Sequence, residues 1–250
     1  MTEAEWKAMC NVVTDRMKVF TRPYVAILGG GAVGKETEVG TGTFIEKGEL
    51  GLVTCEHVAR FNPAAFYLDG SGSSELKLGR WRAEPDPGKD VALAPVPATE
   101  WSHVSGRAQP LPMSKFAQRH ATAERELLFF RGIAGENAYV GSHGADGILS
   151  GYCSQEKIGT GDANIFEILW HPPSTILTSG TSSVVQNRLR YDNPAGFSGS
   201  LVWNTRFVEL GCDLSSWSPS EAVVTGLLRR FDEKTNTLLA WRVEHLLSWL

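Results

Sequence analysis

Short runs of β-branched and aromatic residues, each closed by a glycine-rich turn, predict an all-β chain with a helix at either end. Three observations carry this. Strand-like runs recur from Tyr24 to Val243, helix is expected only at the two ends, and 42% hydrophobic residues in 250 suffice for a packed core, in one two-lobed domain or two small ones.

Thr2 with Glu5 three residues on forms a capping box, and Trp6, Cys10, Val13, Met17 and Phe20 recur on one helical face, so Thr2 to Phe20 is expected to be an amphipathic helix. That face is expected to pack outside the first lobe; its other use would be docking a regulatory partner. Strands are expected at Tyr24 to Leu28, Gly40 to Ile45, Leu50 to Thr54, Phe66 to Leu68 and Leu76 to Leu78, and another from Val91. Ala98 to Ala121, with Pro110 and Pro112 and little periodicity, reads as a crossover. Strand character resumes at Glu126 to Gly132, Ala138 to Val140, Gly147 to Tyr152, Ile165 to Trp170 and Val184-Val185, then at Ser200 to Trp203, Phe207 to Leu210, Ala222 to Leu228 and Leu238 to Val243. A short helix is expected from Glu244 to Leu250. The expected division is a helix at 1–22, a first lobe at 23–97, a crossover at 98–125 and a second lobe at 126–250.

Gly29-Gly30-Gly31-Ala32-Val33-Gly34-Lys35 matches a dinucleotide fingerprint and misses a P-loop only because Glu36 stands where Ser or Thr belongs. Both nucleotide sites need a helix to begin there, with its amides facing phosphate. The next residues suit a strand instead, so a hairpin loop is expected.

Asn193-Pro194-Ala195-Gly196-Phe197-Ser198-Gly199-Ser200 sets one serine between two glycines ahead of an apolar run. Such a turn presents one hydroxyl with the Gly196 and Ser198 amides beside it, the geometry of an oxyanion hole. A serine nucleophile also needs a base and an orienting carboxylate. His57 comes just after the apolar run Leu50 to Thr54, and Asp90 comes 33 residues later. Asp86 lies between two prolines in an exposed turn, whereas Asp90 leads into Val91-Ala92-Leu93 and enters the core, where an imidazole N–H can partner it.

Gly40-Thr41-Gly42-Thr43-Phe44-Ile45, Leu52 to Val58 with His57, Asp90 to Leu93 and Gly196 to Ser200 together resemble the trypsin-like serine proteases of chymotrypsin fold, the compact bacterial and HtrA-type members above all. The order His, Asp, Ser distinguishes that family from other folds with the same three groups. The resemblance implies two six-stranded antiparallel β-barrels, catalytic residues His57, Asp90 and Ser198, an oxyanion hole at Gly196 and Ser198, and hydrolysis of a protein or peptide substrate. By the same resemblance Leu227, Leu228, Arg229 and Arg230 are the substrate-binding edge, and Asp192 stands where an acid would select Arg or Lys, unless Arg188 and Arg190 simply pair with it. Phe197 replaces the aspartate that pairs with a newly cut N-terminus in the digestive enzymes, so that activation route is not expected. A catalytically silent or partner-activated binding module of the same fold is the alternative.

A net charge of −4 gives no electrostatic footprint for nucleic acid or an anionic membrane, and neither partner is expected. Cys10, Cys55, Cys153 and Cys212 show no metal-ligand spacing; free thiols are expected, with no metal and no cofactor. The start Met1 to Lys7 lacks the features of a secretory leader, so a cytoplasmic protease with a narrow, regulated range, in defence or signalling, is expected.

Overall fold

The computed structural model describes residues 2–30, 38–68, 72–86, 88–141, 144–159, 162–190 and 192–250. Helix α1 (Glu3–Thr21) starts on a complete capping box: the Thr2 side chain accepts from the Glu5 amide, and the Glu5 carboxylate accepts from the Thr2 amide. Strands β1 (Val25–Gly30), β2 (Glu38–Lys47) and β3 (Glu49–Thr54) come next, then the single turn α2 (Glu56–Ala59). After it come β4 (Ala64–Leu68), β5 (Ser73–Leu76), β6 (Arg82–Ala83), β7 (Ala92–Pro95), α3 (Ala98–Trp101) and β8 (Leu111–Pro112). The second half holds β9 (Leu128–Gly141), β10 (Gly144–Ser154), β11 (Ile165–Leu169), α4 (Ser183–Arg188), β12 (Leu201–Asn204), β13 (Val223–Asp232), β14 (Thr237–Arg242) and α5 (Val243–Trp249).

The first sheet runs β5-β4-β1-β2-β3-β7-β6 with β8 beside β2, and the second runs β10-β9-β12-β13-β14-β11. All pairings are antiparallel except β2 with β8. The expected β architecture is present; the first sheet exceeds six strands because the short pieces β6 and β8 join its edge and flank, and neither sheet's strand order closes on itself. One apolar core joins the halves, with Phe44, Leu52 and Val53 from the first sheet meeting Phe129, Trp203 and Trp241 from the second. A second cluster, centred on Phe130, Phe166, Trp170 and Phe197, lies within the second sheet.

Four local readings need correction. α1 rests mainly on β9 and β10 of the second sheet, not on the first lobe. Its Lys18 ammonium reaches Thr178 at 2.7 Å while Asp15 accepts from the Gly180 amide at 2.9 Å, so polar groups from the second half fix the helix there. Val184 and Val185 lie in α4 rather than a strand, because Ser182 caps the turn by accepting from the Val185 amide. Phe207 to Leu210 form a turn, since buried Glu126 collects the amides of Val208 and Glu209 at 3.1 and 3.0 Å and bends the chain around its carboxylate. Ser73 to Leu76 pair with β4, a register that ends where Leu76 to Leu78 was expected to run.

The glycine series 31–37 lies outside the described residues. Its flanks pair as antiparallel neighbours, Gly30 opposite Glu38, and from Glu38 the chain is a strand. Among the described residues no helix is long and apolar enough to cross a membrane.

Candidate active site

His57 sits in α2, the one turn that succeeds β3, and its backbone amide donates to Asp90 Oδ1 at 3.0 Å. The ring's Nδ1 lies 2.9 Å from Asp90 Oδ2 and 3.0 Å from Oδ1. Imidazole and amide thus converge on one carboxylate, and a carboxylate on Nδ1 fixes the tautomer with its lone pair on Nε2. Asp90 reaches this position from a left-handed backbone (φ +41°) just before β7, a conformation that aspartate tolerates better than most side chains. Burial opposes its charge, but the hydrogen bond and charge of His57, the His57 amide and the Arg229 guanidinium outweigh it and hold the carboxyl below its ordinary range.

Ser198 approaches from the second sheet, in a loop tied down at nearly every backbone group. Ala195 C=O accepts from the Gly135 amide, Ser198 C=O from the Thr41 amide at 2.9 Å, and the Gly199 amide donates to Leu228 C=O at 2.8 Å. The Thr41 hydroxyl donates to Gly196 C=O at 2.9 Å, so a first-sheet threonine braces the second-sheet loop. Gly196 (φ +102°) and Gly199 (φ +91°) supply the left-handed turns. A Cβ on Gly199 would stand 2.1 Å from Thr41 O, which excludes any other residue without movement of β2. Phe197, fully buried, meets Phe130, Tyr152 and Trp170 at ring separations of 5.4, 5.4 and 6.3 Å. Packing of one phenylalanine therefore anchors the turn, worth about 1.5–3 kcal/mol for burial of such a side chain. Among the described residues, neither the Gly196 nor the Ser198 amide donates a hydrogen bond. Both residues line the cleft.

His57 and Ser198 line one cleft of about 330 Å³, with Asp90 behind the imidazole. The Ser198 hydroxyl donates to Arg229 C=O at 2.7 Å rather than to the His57 ring. Cleft, hydroxyl, imidazole, carboxylate and free amides stand at the seam of two antiparallel sheets.

Solved structures share this arrangement of sheets. The Rv3671c protease from M. tuberculosis in its active form aligns with a TM-score of 0.57 at 15% identity, over 95% of this chain and 83% of that one. GrC aligns at 0.55 and 14% identity over 92% of each chain, and HL collagenase at 0.53 and 14% over 92% and 93%. The chain has the trypsin-like serine protease fold. No family model and no curated protein matches the sequence, so the likeness is one of fold.

Within the trypsin-like fold the sequence-derived substrate residues separate. Leu227 is fully buried in the core, whereas Leu228 and Arg230 line the cleft. Arg229 turns away from the cleft wall, its side chain only 13% exposed and its Nε 3.6 Å from Asp90 Oδ2. Asp192 is exposed and is not among the residues lining the cleft; Arg188 pairs with Asp146 at 3.6 Å, and the Arg190 backbone bonds to the Asn137 side chain. The cleft instead carries Glu38 and Glu233, with Phe61 and Phe231 as apolar walls. Neither glutamate belongs to a motif, and only folding brings β2 and the β13–β14 turn to the same cleft.

Cys55, His57 and Asp90 place one potential ligand atom each within 4.8 Å of one another. The set fits a metal poorly. Burial above all, with the Asp90 charge, pushes the Cys55 thiol well up, its S–H donates to Leu228 C=O at 3.2 Å, and Nδ1 of His57 is taken by Asp90.

Proposed function

We propose that the protein is a serine endopeptidase that works through an acyl-enzyme, with Ser198 as nucleophile, His57 as base and Asp90 as its orienting carboxylate. The observation that carries this is the His57–Asp90 pair at 2.9 Å in one cleft with Ser198 and two unpaired loop amides. His57 Nε2 takes the hydroxyl proton as Ser198 Oγ bonds to the scissile carbonyl carbon. The resulting oxyanion lies on the Gly196 and Ser198 amides, each worth about 3 kcal/mol of transition-state stabilisation. Imidazolium returns the proton to the leaving amine as the C–N bond breaks, and water then releases the acyl group by the reverse sequence.

An extended peptide fits this cleft as an added strand. β12 pairs with β13 only as far as Leu227, so beyond Arg229, whose carbonyl the Ser198 hydroxyl occupies, the edge at Arg230 and Phe231 keeps backbone groups for a substrate. Glu38 and Glu233 favour a cationic side chain in the substrate, and we assign this role to them in preference to Asp192. Four free cysteines suit a reducing compartment.

The second reading, a silent or partner-activated form, has one observation in its favour: the Ser198 hydroxyl is held by Arg229 C=O. Labelling by a fluorophosphonate probe with intact-mass readout separates the two, with Ser198→Ala and His57→Ala alongside. Addition of one probe to the wild type alone is the expected outcome. A folded wild type that stays unlabelled refutes the active reading.

A further inference from the structure

Arg229 touches both ends of the proposed triad. It is the extra residue at the bulge in β13, where the register shifts between Leu228 and Arg230, so it leaves the ladder and turns inward. Its carbonyl accepts the Ser198 hydroxyl at 2.7 Å, and its side chain lies against Asp90. At 3.6 Å the Nε–Oδ2 contact is too long for a hydrogen bond, and the buried Nε has no hydrogen-bond partner. The contact is one of charge alone. Nδ1 of His57 and Nε of Arg229 both approach Oδ2, at 2.9 and 3.6 Å, and so stand no more than 6.5 Å apart. One carboxylate thus faces two cationic groups, one permanent and one that must become positive for catalysis.

We propose that Arg229 is a positioning residue that brakes this site: its guanidinium draws on the Asp90 charge and weakens the stabilisation of the imidazolium that forms on His57. The proposal rests on the triad reading above. A fixed positive charge within about 6 Å disfavours protonation of a neighbour. Water screens the Arg229–Asp90 contact little, since those side chains are 13% and 11% exposed, whereas the His57 ring is 41% exposed and feels the guanidinium partly through solvent. Other charges near the ring do not duplicate it. On α2, Glu56 and Arg60 cancel in their own pair at 2.5 Å, and the Cys55 thiol stays neutral. Glu38 from β2, Glu233 from the β13–β14 turn and Arg230 all line the cleft and are exposed to water. The same residue carries both contacts: its side chain lies on Asp90, and the carbonyl at its bulge accepts from Ser198.

The test compares wild type with Arg229→Met, Arg229→Gln and Arg229→Lys, each qualified by thermal melting. Two readouts are taken: NMR titration of the His57 ring, which needs no turnover, and the pH profile of the second-order rate of fluorophosphonate labelling. For both neutral variants we expect the acid limb of labelling to move to higher pH than in the wild type, with the ring's titration moving the same way. Labelling above that limb should quicken roughly threefold, as a stronger base implies. Arg229→Lys, which keeps the charge, should restore the wild-type midpoint. Equal shifts in the lysine and neutral variants, or no shift in the neutral ones, would overturn the proposal and leave Arg229 as packing. Unfolding of both neutral variants would do the same, making the pair a structural one. A ring shift in a protein that no probe labels would sustain the charge coupling while refuting the protease reading.

Discussion

Replacing Asp90 by asparagine isolates the carboxylate on which the site converges. The native oxygens take the His57 ring and amide at 2.9–3.0 Å and face Arg229 at 3.6 Å. An asparagine of the same shape can present NH₂ towards Nδ1, which selects the tautomer whose Nε2 carries the proton. That nitrogen then has no lone pair with which to take the Ser198 proton, and the labelling rate should fall by roughly 10³–10⁴. Stability should fall as well. Removing one partner of a buried ion pair costs about 3–5 kcal/mol when geometry is tight, and the long contact to Arg229 argues for less, about 2 kcal/mol. For a chain of this size that is roughly 4–8 °C in Tm. Differential scanning fluorimetry and labelling kinetics on the same preparation read both. A variant that labels within tenfold of wild type would refute the assignment of Asp90 as the orienting carboxylate, whatever its melting point.

Gly199→Ala should prevent folding of the Ser198 loop or destabilise it by several kcal/mol, because its Cβ would fall 2.1 Å from Thr41 O and 2.2 Å from Thr54 Oγ1 at φ +91°; urea unfolding and labelling should fail together. Acid should unfold the protein through its paired carboxyls. Burial opposes the charges of Asp15 and Glu156, yet Thr178, Lys18 and the Gly180 amide lower the first, and His120 and Thr122 lower the second. With Asp90 they have folded pKa values below their unfolded ones, so their stabilisation is complete above the ordinary carboxyl range and is lost as pH falls through the folded values. Urea midpoints should hold steady above about pH 5 and drop below about pH 4, and Asp15→Asn with Glu156→Gln should flatten that drop.

Much of the fold was written locally. The Thr2–Glu5 box starts α1, β-branched and aromatic runs closed by glycine-rich turns mark the strands, and glycines at 196 and 199 mark where the backbone must turn left-handed. These are properties of a few adjacent residues, so they can be read without knowing what lies opposite. Asp90 separated from Asp86 in the same way, by the residues next to each along the chain, and the structure sets it against His57. Where a long-range contact decided, local reading failed. Phe207 to Leu210 have strand composition but bend around Glu126, more than eighty residues away, and α1 lies on the second sheet because Lys18 and Asp15 meet the loop near Thr178.

The division at the site has the same cause. His57, Asp90 and Ser198 carry their chemistry in their residue types, and the turn and strand signals beside them could be seen in sequence. Arg229 could not be understood that way, because its direction depends on a bulge between β13 and β14 and its meaning on Asp90 from the other sheet. Glu38 and Glu233 likewise become neighbours of the cleft only through folding. Sequence determines which groups are present and how the backbone nearby must turn; tertiary structure decides which charges share one low-dielectric space, and there a separation of a few ångströms sets the energy.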